Sequence, residues 1–148
     1  MHTEDSIEIL APVEKVWAVY ADVERWPDWT ASVRSVELVE GDALAVGARA
    51  RIDQPRLPRV TWTVTELTPG RSWTWENRSP GAHTVAWHVV TPVDSATTRV
   101  EQGIDQDGPI GGLVGRLYAG LTRRYLRMEA QGLKAACEAP TQHPAPGA

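Results

Sequence analysis

The chain changes hydrophobic period twice, and those two changes divide it into three parts. Ser6–Leu10 alternates apolar and polar residues, with Ile7 and Ile9 on one face, and predicts a first strand. Ala11-Pro12 closes it. Pro12 suits a helix start because its missing N–H would have no partner there. Val13–Ala21 then carries Val13, Val16, Trp17 and Tyr20 at helical spacing. Asp22 is placed to cap a second short helix through Val23 and Trp26, which Pro27 interrupts.

From Ser32 the period is two. Strands are predicted at Ser32–Val39, Val46–Asp53, Val60–Leu67, Arg71–Arg78, Ala82–Thr91 and Thr97–Ile104. Glu40-Gly41-Asp42, Pro69-Gly70 and Ser79-Pro80-Gly81 separate them as turns, and Gln54–Pro58 as a loop. Six consecutive strands with short turns imply an antiparallel meander, and the first strand can join its edge.

The period then becomes helical again. Pro109–Glu138 has no proline after its first position and is expected to run as one long helix, roughly 45 Å at 1.5 Å per residue. Stepping 100° per residue gathers Ile110, Val114, Leu117, Tyr118, Leu121, Tyr125, Met128 and Ala136 in one sector. Arg116, Arg123, Arg127 and Lys134 lie nearly opposite and read as a solvated face. A sheet curved around this helix buries both apolar faces at once. Pro140–Ala148, with three prolines and little to bury, is expected to be a disordered tail after a single domain at 1–139.

Composition narrows the function classes. A formal charge of −4 argues against a nucleic-acid-binding role. The single cysteine, Cys137, permits no internal disulfide and fits a reducing cytoplasm. The opening MHTEDSIEIL lacks the charged-then-apolar pattern of a signal peptide, and no apolar run reaches bilayer-spanning length, so stable membrane insertion is not expected. The aromatic set is unusual, with seven Trp, three Tyr and no Phe. Tryptophan is bulky and carries an N–H that wants a partner, which suits a core or a pocket for flat apolar molecules.

Several stretches together resemble a known superfamily. Ala11-Pro12-x-Glu14-x-Val16-Trp17-Ala18-Val19-Tyr20-Ala21-Asp22-Val23-Glu24-Arg25-Trp26-Pro27-x-Trp29 resembles the opening of the START-like, SRPBCC or Bet v 1-like, superfamily, in its polyketide cyclase/dehydrase and lipid-transport branch. Val46-Gly47, Glu66-Leu67-x-Pro69-Gly70-Arg71, Thr98-Arg99-Val100, Gly108-Pro109 and Leu133-Lys134 follow in consistent order over residues 3–138. The resemblance implies an α+β helix-grip fold: a curved seven-stranded antiparallel sheet around a long C-terminal helix, with two short helices after the first strand. It also implies a cavity between sheet and helix for a small hydrophobic ligand, aromatic, polyketide-like or lipid. Cyclases, carriers and chaperone-like modules share that cavity, so catalysis and simple carriage both stay open. The signature helices bring no catalytic residue to transfer.

The residues themselves offer few chemical groups. His83 and His88 lie five apart on one strand, on opposite faces, and cannot converge on one ion; no cysteine pair or HExxH accompanies them, so no metal and no cofactor is expected. Gly108-x-x-Gly111-Gly112-x-x-Gly115 lacks the spacing of a phosphate-binding loop and reads as a close helix approach or a cavity entrance. No nucleophile elbow appears. Trp62, Trp73, Trp75 and Trp87 alternate on neighbouring strands and either fill the interior or line a cavity. Placing His83, Val85, Trp87 and Val89 inward brings His83 and Gln102 into the hollow, where the helix adds Leu117, Tyr118, Leu121 and Tyr125. For an aldol-type cyclisation or dehydration, His83 is then the candidate base, with Tyr118, Tyr125 or Gln102 as donors. A slip of one residue would exchange His83 for His88.

Overall fold

A computed structural model of the chain describes residues 1–140. The expected tail falls almost wholly outside the described residues. Seven strands form one antiparallel sheet: β1 (His2–Ile9), β2 (Ser35–Glu40), β3 (Arg49–Asp53), β4 (Val60–Thr68), β5 (Ser72–Ser79), β6 (Ala82–Asp94) and β7 (Thr97–Asp107). Their order is β1-β7-β6-β5-β4-β3-β2, so β2 to β7 are a meander and β1 adds to its β7 edge. Helix α1 (Val13–Ala21) and a 3₁₀ turn at Val23–Asp28 follow β1, as the sequence reads. This is the helix-grip arrangement.

The C-terminal stretch departs from expectation. It is two helices, α2 (Pro109–Leu117) and α3 (Ala119–Glu138), separated at Tyr118, whose φ of −102° and ψ of 12° leave the helical region. The two segments obey different packing rules. In α2, Gly111 and Gly115 are buried: a Cβ at Gly111 would lie 3.2 Å from Ala82, and one at Gly115 would lie 2.9 Å from the Gln106 carboxamide. The helix sits on the sheet through its smallest residues, which turns Leu113 and Leu117 away from the interior.

Helix α3 buries Leu126, Ala130, Leu133 and Cys137, with Tyr125 and Glu129 beside them. This face is rotated from the sector expected, in which Leu121, Met128 and Ala136 were prominent; those three are only partly buried. Gly132 lets α3 come against the main chain of Trp29, and a Cβ there would overlap the Trp29 carbonyl. Two residues of the expected solvent line instead tie α3 to β1. Arg127 pairs with Asp5 at 3.1 Å, and the Lys134 ammonium donates to the Glu8 carbonyl at 3.0 Å.

The core is densest where α1, the 3₁₀ turn and the second half of α3 meet the sheet. Ile9, Val16, Tyr20, Val23, Val90, Val100 and Leu133 are at most 1% exposed there. Trp73 packs edge-on against Trp17 at 5.7 Å and Tyr20 at 4.8 Å, closing this half against the hollow described next.

Candidate functional site

Away from that packed end the sheet and the C-terminal helices part, leaving a cavity of about 300 Å³. Its sheet wall is built from inward positions of β3 to β7, and pairing determines which positions those are. Trp62 and Val64 alternate with threonines on β4, and Val64 lies opposite Trp75. The β5–β6 turn holds two residues, Pro80-Gly81, so Ser79 faces Ala82 and the register runs on to Trp75 opposite Ala86 and Trp73 opposite His88. Directly paired residues share a face. Thr84, Ala86, His88 and Val90 therefore point inward, and the alternation expected for β6 is reversed.

The consequence for the candidate base is direct. His83 lies on the outer face, its Nε2 3.2 Å from the Glu76 carboxylate, and is not part of the cavity wall. Trp87 is also outside, its indole lying flat over Gly103, where a Cβ would collide with the ring. Covering that glycine explains why so large an apolar residue sits on the outer face. Of the other expected ligand contacts, Trp62, Trp75, Gln102, Tyr118 and Tyr125 line the cavity. Trp73 lies behind it, 1% exposed. Leu117 projects into solvent, and Leu121 lines a separate shallow hollow with Arg56, Arg124 and Met128.

The walls are mainly apolar, with Trp62 and Trp75 at 6.0 Å forming a tilted aromatic surface. The deep end is polar, and every group there has a definable state. His88 stacks on Trp73 with centroids 4.1 Å apart. Its Nδ1 lies 3.3 Å from the Trp73 carbonyl, which can only accept, so Nδ1 carries the proton and Nε2 the lone pair. Burial lowers the His88 pKa to about 3, so the ring is neutral at physiological pH. Among the described residues Nε2 has no hydrogen-bond partner.

Gln102, directly across from His88 on β7, is held at both ends. Its Oε1 accepts from the Tyr20 hydroxyl at 2.5 Å and its Nε2 donates to the Leu126 carbonyl at 2.8 Å. One turn beyond Leu126, Glu129 presents a carboxyl to the same space. Burial raises its pKa to about 8, outweighing the opposite effect of a 3.4 Å hydrogen bond from the Ser32 hydroxyl. Ser32 is in turn paired with Thr30 at 2.8 Å. Near neutrality Glu129 is thus a carboxylic acid with a proton to donate. Among the described residues it forms no ion pair, and burial first, with this carboxyl second, pushes the Tyr20 hydroxyl's pKa upward.

Sequence reasoning missed Glu129 and the polar pair Thr30 and Ser32, and it held His88 only as the alternative to His83 should the register slip by one. For His88 the signal was present in the two-residue turn. For Glu129 it was not, because an isolated Glu on an amphipathic helix reads as a solvated position. At the other end the cavity opens to solvent between α2, through Ile110, Val114 and Tyr118, and the loop carrying Leu57 and Pro58. The Tyr125 hydroxyl donates to the Pro55 carbonyl and fastens this loop to α3. Among the described residues no three His, Cys, Asp or Glu side chains are grouped to hold a metal ion.

Comparison with known proteins places this architecture. Two Streptomyces proteins, of S. cyaneus and S. halstedii, each named "Putative polyketide cyclase", are 36% and 35% identical to it over 70 and 74 residues. Those matches take in 47% and 50% of this chain and 46% and 57% of theirs, so the chain spans about half the length of the curated relatives it matches. Among solved structures, the aromatase/cyclase Zhui from a Streptomyces species superposes with a TM-score of 0.75 at 20% identity, over 93% of each chain. A START superfamily protein from Mycobacterium smegmatis gives 0.72 at 16% identity, over 93% of this chain and 97% of its own. At these identities the structural likeness speaks for the fold. The family described as polyketide cyclase / dehydrase and lipid transport matches residues 1–138, nearly the whole chain, and the protein belongs to that family.

Proposed function

We propose that the protein binds a flat, oxygen-bearing hydrophobic molecule of the polyketide class in its cavity and promotes ring closure or dehydration of it. The observation that carries this reading is the deep polar end of an otherwise apolar chamber, where a neutral imidazole and a neutral carboxylic acid both line the wall. An ionised floor would reject such a ligand on desolvation grounds, whereas a neutral donor and a neutral acceptor suit carbonyl and hydroxyl oxygens. The cyclase names carried by the two Streptomyces relatives and by Zhui agree with this substrate class.

The chemistry follows from the two states. In an aldol closure, His88 Nε2 takes the proton of a carbon between carbonyls. The new carbon–carbon bond forms, and the acceptor oxygen receives the proton of Glu129. In a dehydration, His88 takes the carbon-bound proton while the hydroxyl departs as water with the proton of Glu129. Each transfer leaves an imidazolium on the sheet wall and a carboxylate on the helix wall of one cavity, and return of the proton from His88 to Glu129 restores both neutral groups. Gln102 fixes the spacing between sheet and helix and keeps one N–H for the ligand.

The test pairs binding with turnover. Titrating the protein with planar polyphenols is expected to change the fluorescence of Trp62 and Trp75. A linear poly-β-ketone thioester is expected to lose water, read by mass spectrometry. Glu129→Gln is expected to retain binding and lower turnover by a factor of ten or more, in the range of a lost general acid. Fluorescence unmoved by every planar ligand would overturn the binding reading. Unchanged turnover in Glu129→Gln would remove the assigned acid.

A further inference from the structure

The surface beside the cavity mouth carries a feature that the chemistry inside does not use. A helix lying on a globular protein ordinarily buries its large apolar residues and exposes polar ones. Helix α2 does the reverse. Its glycines face the sheet, Leu113 and Leu117 are 61% and 73% exposed, and Ile110 is 53% exposed. At 100° per residue these three fall within about 60° of one another, and Arg116 lies about 60° to the side of Leu113.

The charge around that stripe is equally one-sided. Between Asp107 and Glu129 the sequence holds four arginines and no acidic residue, in a chain of net charge −4. Most arginines of this protein form an ion pair. Among the described residues, those without one are Arg56, Arg71, Arg116, Arg123 and Arg124. All of these except Arg71 belong to α2, α3 or the loop at the mouth. Arg56 and Arg124 line one shallow hollow of about 160 Å³ together with Leu121 and Met128, and Tyr125 separates this hollow from the main cavity. Arg56 also holds a left-handed backbone, φ 67°, uncommon for a residue with a side chain.

We propose that this rim docks on an anionic membrane surface. Leu113, Leu117 and Ile110 enter the boundary between headgroups and acyl chains, and Arg116 and Arg123 lie at headgroup level. A lipid phosphate sits between Arg56 and Arg124. Exposed aliphatics flanked by arginines on a short helix match what an interfacial helix requires. An acidic protein partner would satisfy the arginines but would have to supply a pocket shaped to Leu113 and Leu117, whereas acyl chains accept them in any arrangement. Because the cavity opens between this helix, at Val114 and Tyr118, and the loop of Leu57 and Pro58, docking brings the mouth against the acyl region, and an apolar molecule can cross without passing through water. Among the described residues no helix is long and apolar enough to cross a membrane, so the contact is peripheral.

The experiment is flotation of the ligand-free protein with vesicles of phosphatidylcholine alone or mixed with phosphatidylglycerol. Because it uses no cavity ligand, its failure is distinct from failure of the proposed activity. Uptake is expected on the mixed vesicles at low salt, little on phosphatidylcholine, and a fall as salt rises. Arg123→Gln with Arg124→Gln is expected to weaken uptake roughly 25-fold, about five-fold per arginine. Leu113→Ser with Leu117→Ser is expected to weaken it about ten-fold or more, with quenching by planar ligands in water unchanged in both variants. Absence of uptake at low salt would overturn the proposal. So would uptake that both double variants preserve, or binding of a purified acidic carrier protein through these arginines without uptake on vesicles.

Discussion

Replacing Glu129 with glutamine is expected to stabilise the protein at neutral and alkaline pH and leave it unchanged in acid. The carboxyl titrates near its ordinary 4.5 in the unfolded chain but at about 8 when buried. A folded-state pKa raised in this way contributes stability that is complete below pH 4.5 and is lost as pH climbs through 8, because the unfolded chain ionises first. At about 1.4 kcal/mol per unit, the wild type has lost about 3 kcal/mol by pH 7 and roughly 5 kcal/mol above pH 8. Glutamine has the same shape, keeps an oxygen to accept from Ser32, and never ionises. The difference between variant and wild type isolates this one group, because every other titration is common to both. For a chain of this size about 3 kcal/mol corresponds to roughly 10 °C in Tm. Thermal melts followed by circular dichroism at half-unit steps from pH 4 to pH 9 measure it. Two curves that coincide at pH 4, diverge through pH 7 and run parallel above pH 8 are expected. Melting temperatures that stay together to pH 8 would refute the burial of a neutral carboxyl, and with it the acid assigned to the site.

His88 carries the opposite sign. Its pKa falls from 6.5 to about 3 on folding, so its contribution is whole above pH 6.5 and is lost as pH falls toward 3. His88→Gln is expected to flatten the acid limb of the same melts, removing about 3 kcal/mol of wild-type loss between pH 6.5 and 4.5; an unchanged acid limb would show that another group governs it. Gly132→Ala is expected to cost about 3 kcal/mol in urea denaturation, because its Cβ meets the fixed main chain of Trp29, whereas Gly120→Ala, open on all sides in the same helix, gains up to about 1 kcal/mol. Equal effects at the two glycines would contradict the close approach of α3.

Strand positions were legible because alternation on one half-buried face leaves little freedom. Ala48, Ala50 and Ile52 are buried while Arg49 and Arg51 are exposed, and Trp62 with Val64 and Trp73 with Trp75 follow the same rule. On β6 both faces are apolar enough that hydrophobicity does not choose. Val85, Trp87 and Val89 outweigh Thr84, Ala86 and His88, yet the lighter set is inside. The choice is made by pairing: a two-residue turn at Pro80-Gly81 obliges His88 to share the face of Trp73. The C-terminal stretch misled for a different reason. One helical wheel drawn across residues 109–138 presumes one continuous phase, and Tyr118 ends that phase. Leu117 of α2, which points outward, was then added to the buried side of α3, while Ile110 and Val114 do line the cavity. Buried Glu129 and the small residues Ala130 and Cys137, which mark the true face, carry no weight on such a wheel.

The break at Tyr118 also accounts for the division of the molecule into a filled half and an empty one. From Leu126 onward α3 fits closely against β1, α1 and the 3₁₀ turn, drawn in by Gly132 and held by Arg127 and Lys134. A helix continuing straight from that anchored segment would have no reason to follow the curving sheet. Leaving the helical path at Tyr118 lets the chain return to the sheet through Gly111 and Gly115, so the sheet is touched at both ends and spanned in between. The spanned region is the cavity. Gln102 marks its inner limit, since it is where the sheet last bonds the helix directly, at the Leu126 carbonyl. His88 and Glu129 lie at that limit because they occupy the strand position opposite Gln102 and the helical turn after Leu126. The same contact that ends the packed core therefore gathers His88 and Glu129, two groups of the hollow whose protonation burial has reset, and the helix break that opens the hollow exposes the apolar stripe beside its mouth.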